Sequence, residues 1–332
     1  DAIVSAKVIE HSETPGISDA PIAQLPEEYV KYQSLGLDVI SGATLTSNAI
    51  LAALEQTAAA AGADVEALKA APVEAKTAGE DEVLSSDIVV VDAGGAGLAA
   101  AVSASEQGAS VIVLEKTVAV GGNTLRSGGW YNSADQERQK NLEMSEAQKA
   151  TVEAMLAKEA VNEKMAQLQQ TLQTEWDAYK AEGGTYLFDS PTFHALQTYD
   201  GGDYLGNIDL IAEYANEAPN TLKWLESLGM QTNPTVTMCV GALWQRSHSV
   251  VGNTNVGYGY IETVHRAAEE KGVQILFETR GTELMTDENN AVIGVRAEKS
   301  DGTKLTVNAA KGVILATGGF GGDLDKVREI RS

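Results

Sequence analysis

The chain has 332 residues, enough for two domains and a sizeable core. Lys and Arg number 24 against 47 Asp and Glu, a formal charge of −23 that argues against nucleic acid and anionic membrane as partners. A lone cysteine, Cys239, excludes an internal disulfide, a CxxCH haem site and a cysteine-ligated iron–sulfur cluster, and no apolar run reaches the length of a membrane span.

The chain opens inside an alternating pattern, with Val4, Ala6 and Val8 on one face of an expected strand. HSETPGI at 11–17 reads as a turn-rich loop. Residues 37–40 lead into Ser41-Gly42-Ala43-Thr44-Leu45-Thr46-Ser47, and a helix is expected from about 48 to 61, with Ser47 as N-cap and Gly62 closing it. Taken alone, the SGAT stretch is either a simple cap or a phosphate site, since small residues and free N–H groups at a helix start can hold an anion.

Residues 63–85 are rich in Ala, Glu, Asp and Gly, with Pro72 in the middle, and read as a tether that is partly helical near 65–71. An α/β unit follows. Residues 88–91 are a β-branched apolar run expected to be a strand buried on both faces, and they lead into Gly94, Gly95 and Gly97. A helix over 98–107 stops at Gly108, and a second strand over 111–114 ends in Glu115. Strand, glycines, helix, strand and terminal acid come in the order of a dinucleotide-binding βαβ unit, with the pyrophosphate on the helix N-terminus and the acid on the ribose. The bland alternative is a glycine-rich turn that binds nothing. Asp92 favours it, because it stands where GxGxxG has its first glycine and puts a carboxylate beside the pyrophosphate.

Residues 136–184 read as a helical insertion opened by a Ser145–Gln148 capping box and ended at Gly183-Gly184. A helix over 210–228 is expected to kink or split at Pro219. Arg246, Ser247 and His248 are expected in a polar loop, with His248 structural. The pattern then predicts a helix over 261–271, a strand over 273–277, a hairpin through Asp287 and Asn290, and two strands at 304–308 and 312–316.

VGGNTLRSGG at 120–129 and ILATGGFGGD at 314–323 resemble the FAD-binding domain of the fumarate reductase and flavocytochrome c flavoproteins, a group that includes urocanate reductases. The resemblance implies a Rossmann-like domain, at 86–135 and 185–332, holding non-covalent FAD. Its lining would be Gly94, Gly95, Ala96, Gly97, Glu115, Lys116, Gly122, Asn123, Thr124, Ser127, Gly128, Gly129, Ala316, Thr317 and Gly318, with Thr279 and Arg280 near the adenine. Asp38 followed by Ser41-Gly42-Ala43-Thr44 resembles the flavinylation motif of FMN-binding domains, which makes residues 1–62 a small α+β unit. It implies FMN joined to Thr44 through a phosphoester, with His11, Glu13, Thr14, Pro15 and Gly16 packed nearby.

The group's activity is reduction of the C=C bond of a carboxylate such as fumarate, urocanate or acrylate, with electrons passing from an external donor through FMN to FAD. In that group the substrate-capping domain and the catalytic residues follow the ATGG signature, so no catalytic position is assigned here. A C-terminal part is expected from a second polypeptide, from the other product of a cut, or from the same polypeptide beyond Ser332. The alternatives are a non-catalytic electron-transfer subunit with a weakened FAD site, and a flavin dehydrogenase of ketosteroid type. Flavinylation of this kind implies a periplasmic or cell-surface bacterial protein.

Overall fold

The computed structural model describes residues 2–14, 16–74, 77–252 and 257–331. It divides into two compact units, one formed by 1–127 with 260–332 and the other by 128–259. Among the described residues no helix is long and apolar enough to cross a membrane.

The first unit begins with helices α1 (Asp19–Tyr32) and α2 (Thr44–Ala60), which enclose Leu25, Tyr29, Leu35, Leu37 and Ile50. The alternation at 4–8 makes no strand among the described residues. Ala6 and Val8 lie against this small core, but Val4 is 87% exposed. A side chain takes the place of a neighbouring strand: the Gln33 amide accepts from the Ile3 N–H at 2.7 Å and donates to the Ile3 carbonyl at 2.8 Å. Helix α2 begins at Thr44 with Ala43 as its N-cap, so Ser47 is not the cap expected of it. Ser47 is buried in the first turn, where its Oγ donates to the Ala43 carbonyl at 2.9 Å and accepts from the Ile40 N–H at 3.1 Å. Gly62 follows the helix at φ 78°, as its C-terminal position requires.

Helix α3 (Val65–Ala70) is capped by Asp64, and strand β1 (Glu82–Val91) starts inside the stretch expected to be a tether. The reason is pairing: β1 is in parallel register with a later strand from Glu82 onward, and the Gly79 N–H is already bonded to Thr303 Oγ1 at 2.7 Å. Helix α4 (Gly95–Glu106), strand β2 (Val111–Leu114) and the short helix α5 (Gly122–Leu125) complete the expected βαβ unit and its second glycine loop.

The second unit contains β3 (Tyr131–Asn132), α6 (Gln136–Gln139), α7 (Glu146–Ala157), α8 (Glu163–Ala181), α9 (Pro191–Gly201), α10 (Ile208–Ser227) and β4 (Ser247–His248). The Ser145–Gln148 capping box is present. The long helical stretch expected after it is two helices, because the Asn162 side chain accepts from the Met165 N–H and starts α8 afresh. Met155, Met165, Leu172, Trp176, Phe188, Phe193 and Trp244 form the core, with Trp176 and Tyr179 stacked at 4.9 Å. Helix α10 runs unbroken through Pro219, held by a buried face of Ala212, Ala215, Ala218, Leu222 and Leu225.

Back in the first unit, α11 (Tyr258–Glu270), β5 (Gln274–Leu276), β6 (Thr279–Thr286), β7 (Val292–Lys299), β8 (Lys304–Leu315) and α12 (Leu324–Arg331) follow. The two strands expected at 304–308 and 312–316 are one strand, β8, and a register shift between Ser86 and Ile88 lets β1 follow it across Gly312. The sheet order is β5-β2-β1-β8-β7-β6, with β5, β2, β1 and β8 parallel and the β6–β7–β8 edge antiparallel. Chain order reverses beside β1, so the crevice at the C-terminal ends of β1, β2 and β8 is where an open α/β sheet takes its ligand.

Candidate flavin sites

The glycine segments interlock at the end of β1. A Cβ on Gly97 would lie 1.9 Å from the Asp92 carbonyl oxygen, so α4 sits directly on the turn and only glycine allows it. The Gly121 N–H donates to the Ala93 carbonyl at 2.8 Å, and a Cβ on Gly95 would meet Thr124 Oγ1 at 2.8 Å. Gly122 and Thr124 are thereby brought to the first glycine turn, with Asn123 exposed beside them and Ser127 bonded back to the Thr124 carbonyl. Gly128 and Gly129 fall in the second unit.

Asp92 adopts φ 87°, a conformation few side chains tolerate, which explains why glycine is expected at this position. Its Oδ1 accepts from the Gly94 N–H at 2.7 Å, occupying a donor that faces the helix start, and burial pushes its carboxyl above the usual value. Glu115 is buried and turned toward the loop it follows. One of its oxygens accepts from the Ala93 N–H at 2.9 Å, the other from the N–H and hydroxyl of Thr117 at 2.8 Å. The acid expected on a ribose therefore braces the glycine turn.

A groove of about 290 Å³ opens at the C-terminal ends of β1 and β2. Asp92, Lys116, Thr279, Arg280 and Thr317 are among the residues that line it. Ala316 enters through an N–H bond to the Val91 carbonyl at 3.0 Å, and Gly318 turns the chain at φ 72°. The glycines, packed so closely that side chains would collide with the neighbouring loop, and the groove beside them suit a dinucleotide: backbone N–H groups at the helix start for a pyrophosphate, Lys116 and Arg280 for the adenosine end.

The second site is the turn before α2. Ser41 and Gly42 are exposed, Gly42 at φ 87°, and the Ala43 N–H closes the turn on the Ile40 carbonyl at 3.0 Å. Thr44 is exposed at the first helical residue, where the opening N–H groups have no intrahelical acceptor. Asp38 is also exposed. Glu13 accepts from Thr46 Oγ1 at 2.5 Å, and its own N–H reaches His11 Nδ1 at 3.4 Å, so the 11–17 loop lies against this turn. Thr14 and Gly16 belong to the same loop, through Ser18 Oγ on the Thr14 carbonyl and the Gly16 N–H on Asp19; Pro15 lies outside the described residues. Sequence reasoning did not single out Thr46, Thr117 or Arg126. Nothing local marks them, since each matters through a partner more than 30 positions away or, for Thr117, through the fold of the Glu115 loop.

In the second unit Arg246, Ser247 and His248 are buried and partly in β4, not in a polar loop. Backbone pairing of β4 with β3 and side-chain bonding account for this: Arg246 Nε and Nη2 grip Asp189 at 2.9 and 2.8 Å, and Ser247 Oγ donates to Asn132 at 2.7 Å. His248 has the structural role expected of it, with Nδ1 3.1 Å from the Tyr131 carbonyl and Nε2 3.1 Å from Asp135. Burial works against the Asp135 carboxylate, but His248 and Arg138 hold it well below the usual carboxylate range.

The profile described as FAD dependent oxidoreductase matches residues 87–331. The chain belongs to the FAD-dependent oxidoreductase family. The FMN-binding domain profile matches residues 1–59 of the same chain. The chain is 34% identical to the NADH:acrylate oxidoreductase of Vibrio harveyi over 99% of its own length and 34% of the relative's. It is 28% identical to the urocanate reductase of Eggerthella lenta over 98% of its length and 46% of the relative's. Among solved structures, the open conformation of a flavocytochrome c3 fumarate reductase superposes with a TM-score of 0.57 and 24% identity, covering 76% of this chain and 36% of that one. The chain thus spans a third to a half of these relatives, and the fold and the tandem FMN–FAD order agree with the sequence expectation.

Proposed function

We propose that this chain is the flavin-bearing part of a reductase of unsaturated carboxylates, carrying FMN covalently on Thr44 and FAD in the crevice at β1. The observation that supports it best is the alignment of 99% of the chain, FMN-binding and FAD-binding parts in order, with an NADH:acrylate oxidoreductase. Bound flavins supply electron and hydride transfer. The chain's own residues bind and orient: the glycine turns offer N–H groups to a pyrophosphate, Glu115 braces the first turn, Lys116 and Arg280 flank the groove, and the start of α2 holds a phosphate on Thr44. The substrate-capping and proton-donating groups belong to the remaining length that the relatives have, and the natural assembly is periplasmic or at the cell surface.

The test is the natural protein with its partner or full chain, given a reduced dye and, in turn, acrylate, fumarate and urocanate. Oxidation of the dye only when one of these acids is present is expected; FAD-loaded protein inert to all three overturns the reading in favour of an electron-transfer subunit. Thr44→Ala is expected to abolish flavin fluorescence in a denaturing gel, and fluorescence that persists places the attachment elsewhere.

Asp92 sets a second expectation. Asp92→Gly removes a carboxylate from beside the pyrophosphate, frees the Gly94 N–H, and relieves a left-handed backbone. FAD should bind about tenfold more tightly, the worth of one nearby like charge in a partly buried site. Titration of the apoprotein checks it, and equal or weaker binding would show that Asp92 serves the site.

A further inference from the structure

We infer that Arg126 is a positioning residue that latches the flavin-bearing turn at Thr44 onto the FAD loop. This rests on the assignment of FMN to Thr44 made above. Arg126 ends α5, inside the second glycine loop, and its Nη2 donates to the Gly42 carbonyl at 2.5 Å. Gly42 stands two residues before Thr44 in sequence, and its φ of 87° belongs to the left-handed region. Thr117 stands close to the same glycine. A Cβ placed on Gly42 would lie 3.6 Å from Thr117 Cγ2, and Thr117 is tied to Glu115 by both its N–H and its hydroxyl.

The same Glu115 carboxylate accepts from Ala93 in the first glycine turn. The flavin-bearing turn is thus bonded to Arg126 and lies close to Thr117, whose own bonds lead through Glu115 to the first glycine turn. The Arg126 bond is not needed for the turn's own fold, which Ala43, Ile40 and Ser47 close among themselves. Arg126 is an exposed side chain spending a charged donor on a backbone carbonyl, in a chain with a formal charge of −23 and carboxylates to spare. Its guanidinium also puts a positive charge beside the turn that would carry a phosphate, where a fork of donors suits both carbonyl and phosphate oxygens. The consequence is a docked arrangement of the two flavin sites whose population depends on this one side chain.

The experiment compares wild type, Arg126→Ala and Arg126→Lys as the flavin-loaded natural protein, after a denaturing gel has shown covalent flavin in all three. Absence of covalent flavin from the wild type would sink the Thr44 assignment and the latch with it, whereas loss in the variants alone would recast Arg126 as needed for attachment and overturn the latch. With flavin attached, hydrogen exchange over residues 41–46 should be faster in Arg126→Ala. Rapid-mixing measurement of electron passage from the first flavin to the second should slow about tenfold, the effect on a docked population of losing a hydrogen bond from a charged donor. FAD content should be unchanged, and Lys, which keeps a cationic donor, should restore most of the rate. Unchanged exchange together with an unchanged rate in Arg126→Ala overturns the latch, and so does a slowed rate that tracks lost FAD.

Discussion

Replacing Arg246 with methionine is expected to destabilise the second unit by about 3–5 kcal/mol, the cost of leaving a buried charge without its partner. Asp189 is fully buried, and Arg246 meets both of its carboxylate oxygens. Burial pushes the Asp189 carboxyl up, and what opposes this is the guanidinium, helped by the Gln139 amide and the Ser190 N–H. Methionine fills much of the volume but supplies no donor, so the carboxylate must either stay charged and unpaired or take up a proton. Set against a total stability of about 5–15 kcal/mol, the loss is large enough to move the denaturation midpoint well down. Urea titration followed by tryptophan fluorescence reads it directly, since Trp244 and Trp176 lie in the same core. Adding Asp189→Asn should recover part of the loss, because a neutral amide costs less to bury than a lone carboxylate. A single variant that loses less than about 1 kcal/mol would mean that water reaches Asp189.

The parts of the fold legible in the sequence are those whose cause is local. The βαβ unit could be read because β-branched runs, three glycines and a terminal acid are each a direct backbone requirement, and Gly97 under Asp92 shows how literal the requirement is. The Ser145–Gln148 box was legible for the same reason. Helix α1 was not, because Pro26 speaks against a helix interior, yet it is buried there beside Leu25 and Tyr29 and the packing outweighs its missing N–H. Pro219 in α10 is the same lesson in the opposite sense: a kink or split was expected, and the run is unbroken. The flavin sites were legible residue by residue but not in their joinery. Glu115 could be found as the acid that ends β2, whereas its use as a brace for Ala93 and Thr117 is a property of the folded loop. Arg246 looked like a member of a polar loop because its partner, Asp189, lies 57 positions away.

His194 gives the second large effect, and it appears only in acid. Its ring is buried, Nδ1 has no hydrogen-bond partner among the described residues, and the Arg246 guanidinium lies near enough to oppose a second positive charge. Burial first, and Arg246 second, push its pKa down to about 3 from 6.5. The unfolded chain therefore takes up a proton as pH falls through 6.5, while the folded protein does not until about pH 3. Between those values the unfolded state binds more protons, so stability rises with pH and is lost as pH falls, at about 1.4 kcal/mol per unit. From pH 6.5 to 5 the loss is about 2 kcal/mol, and the residue's contribution to the pH dependence dies away within about a unit above 6.5. Asp135 and Glu226, both held below their usual values, act in the same direction but only in the carboxylate range, so the upper part of the window belongs to imidazole. His194→Phe removes the titration while keeping a ring against Tyr214, which lies 5.6 Å away. The gap between wild type and variant should therefore shift by about 2 kcal/mol in the variant's favour on going from pH 6.5 to 5. Denaturant titrations at the two pH values measure it, and parallel losses in both proteins would mean that His194 takes its proton in the folded state.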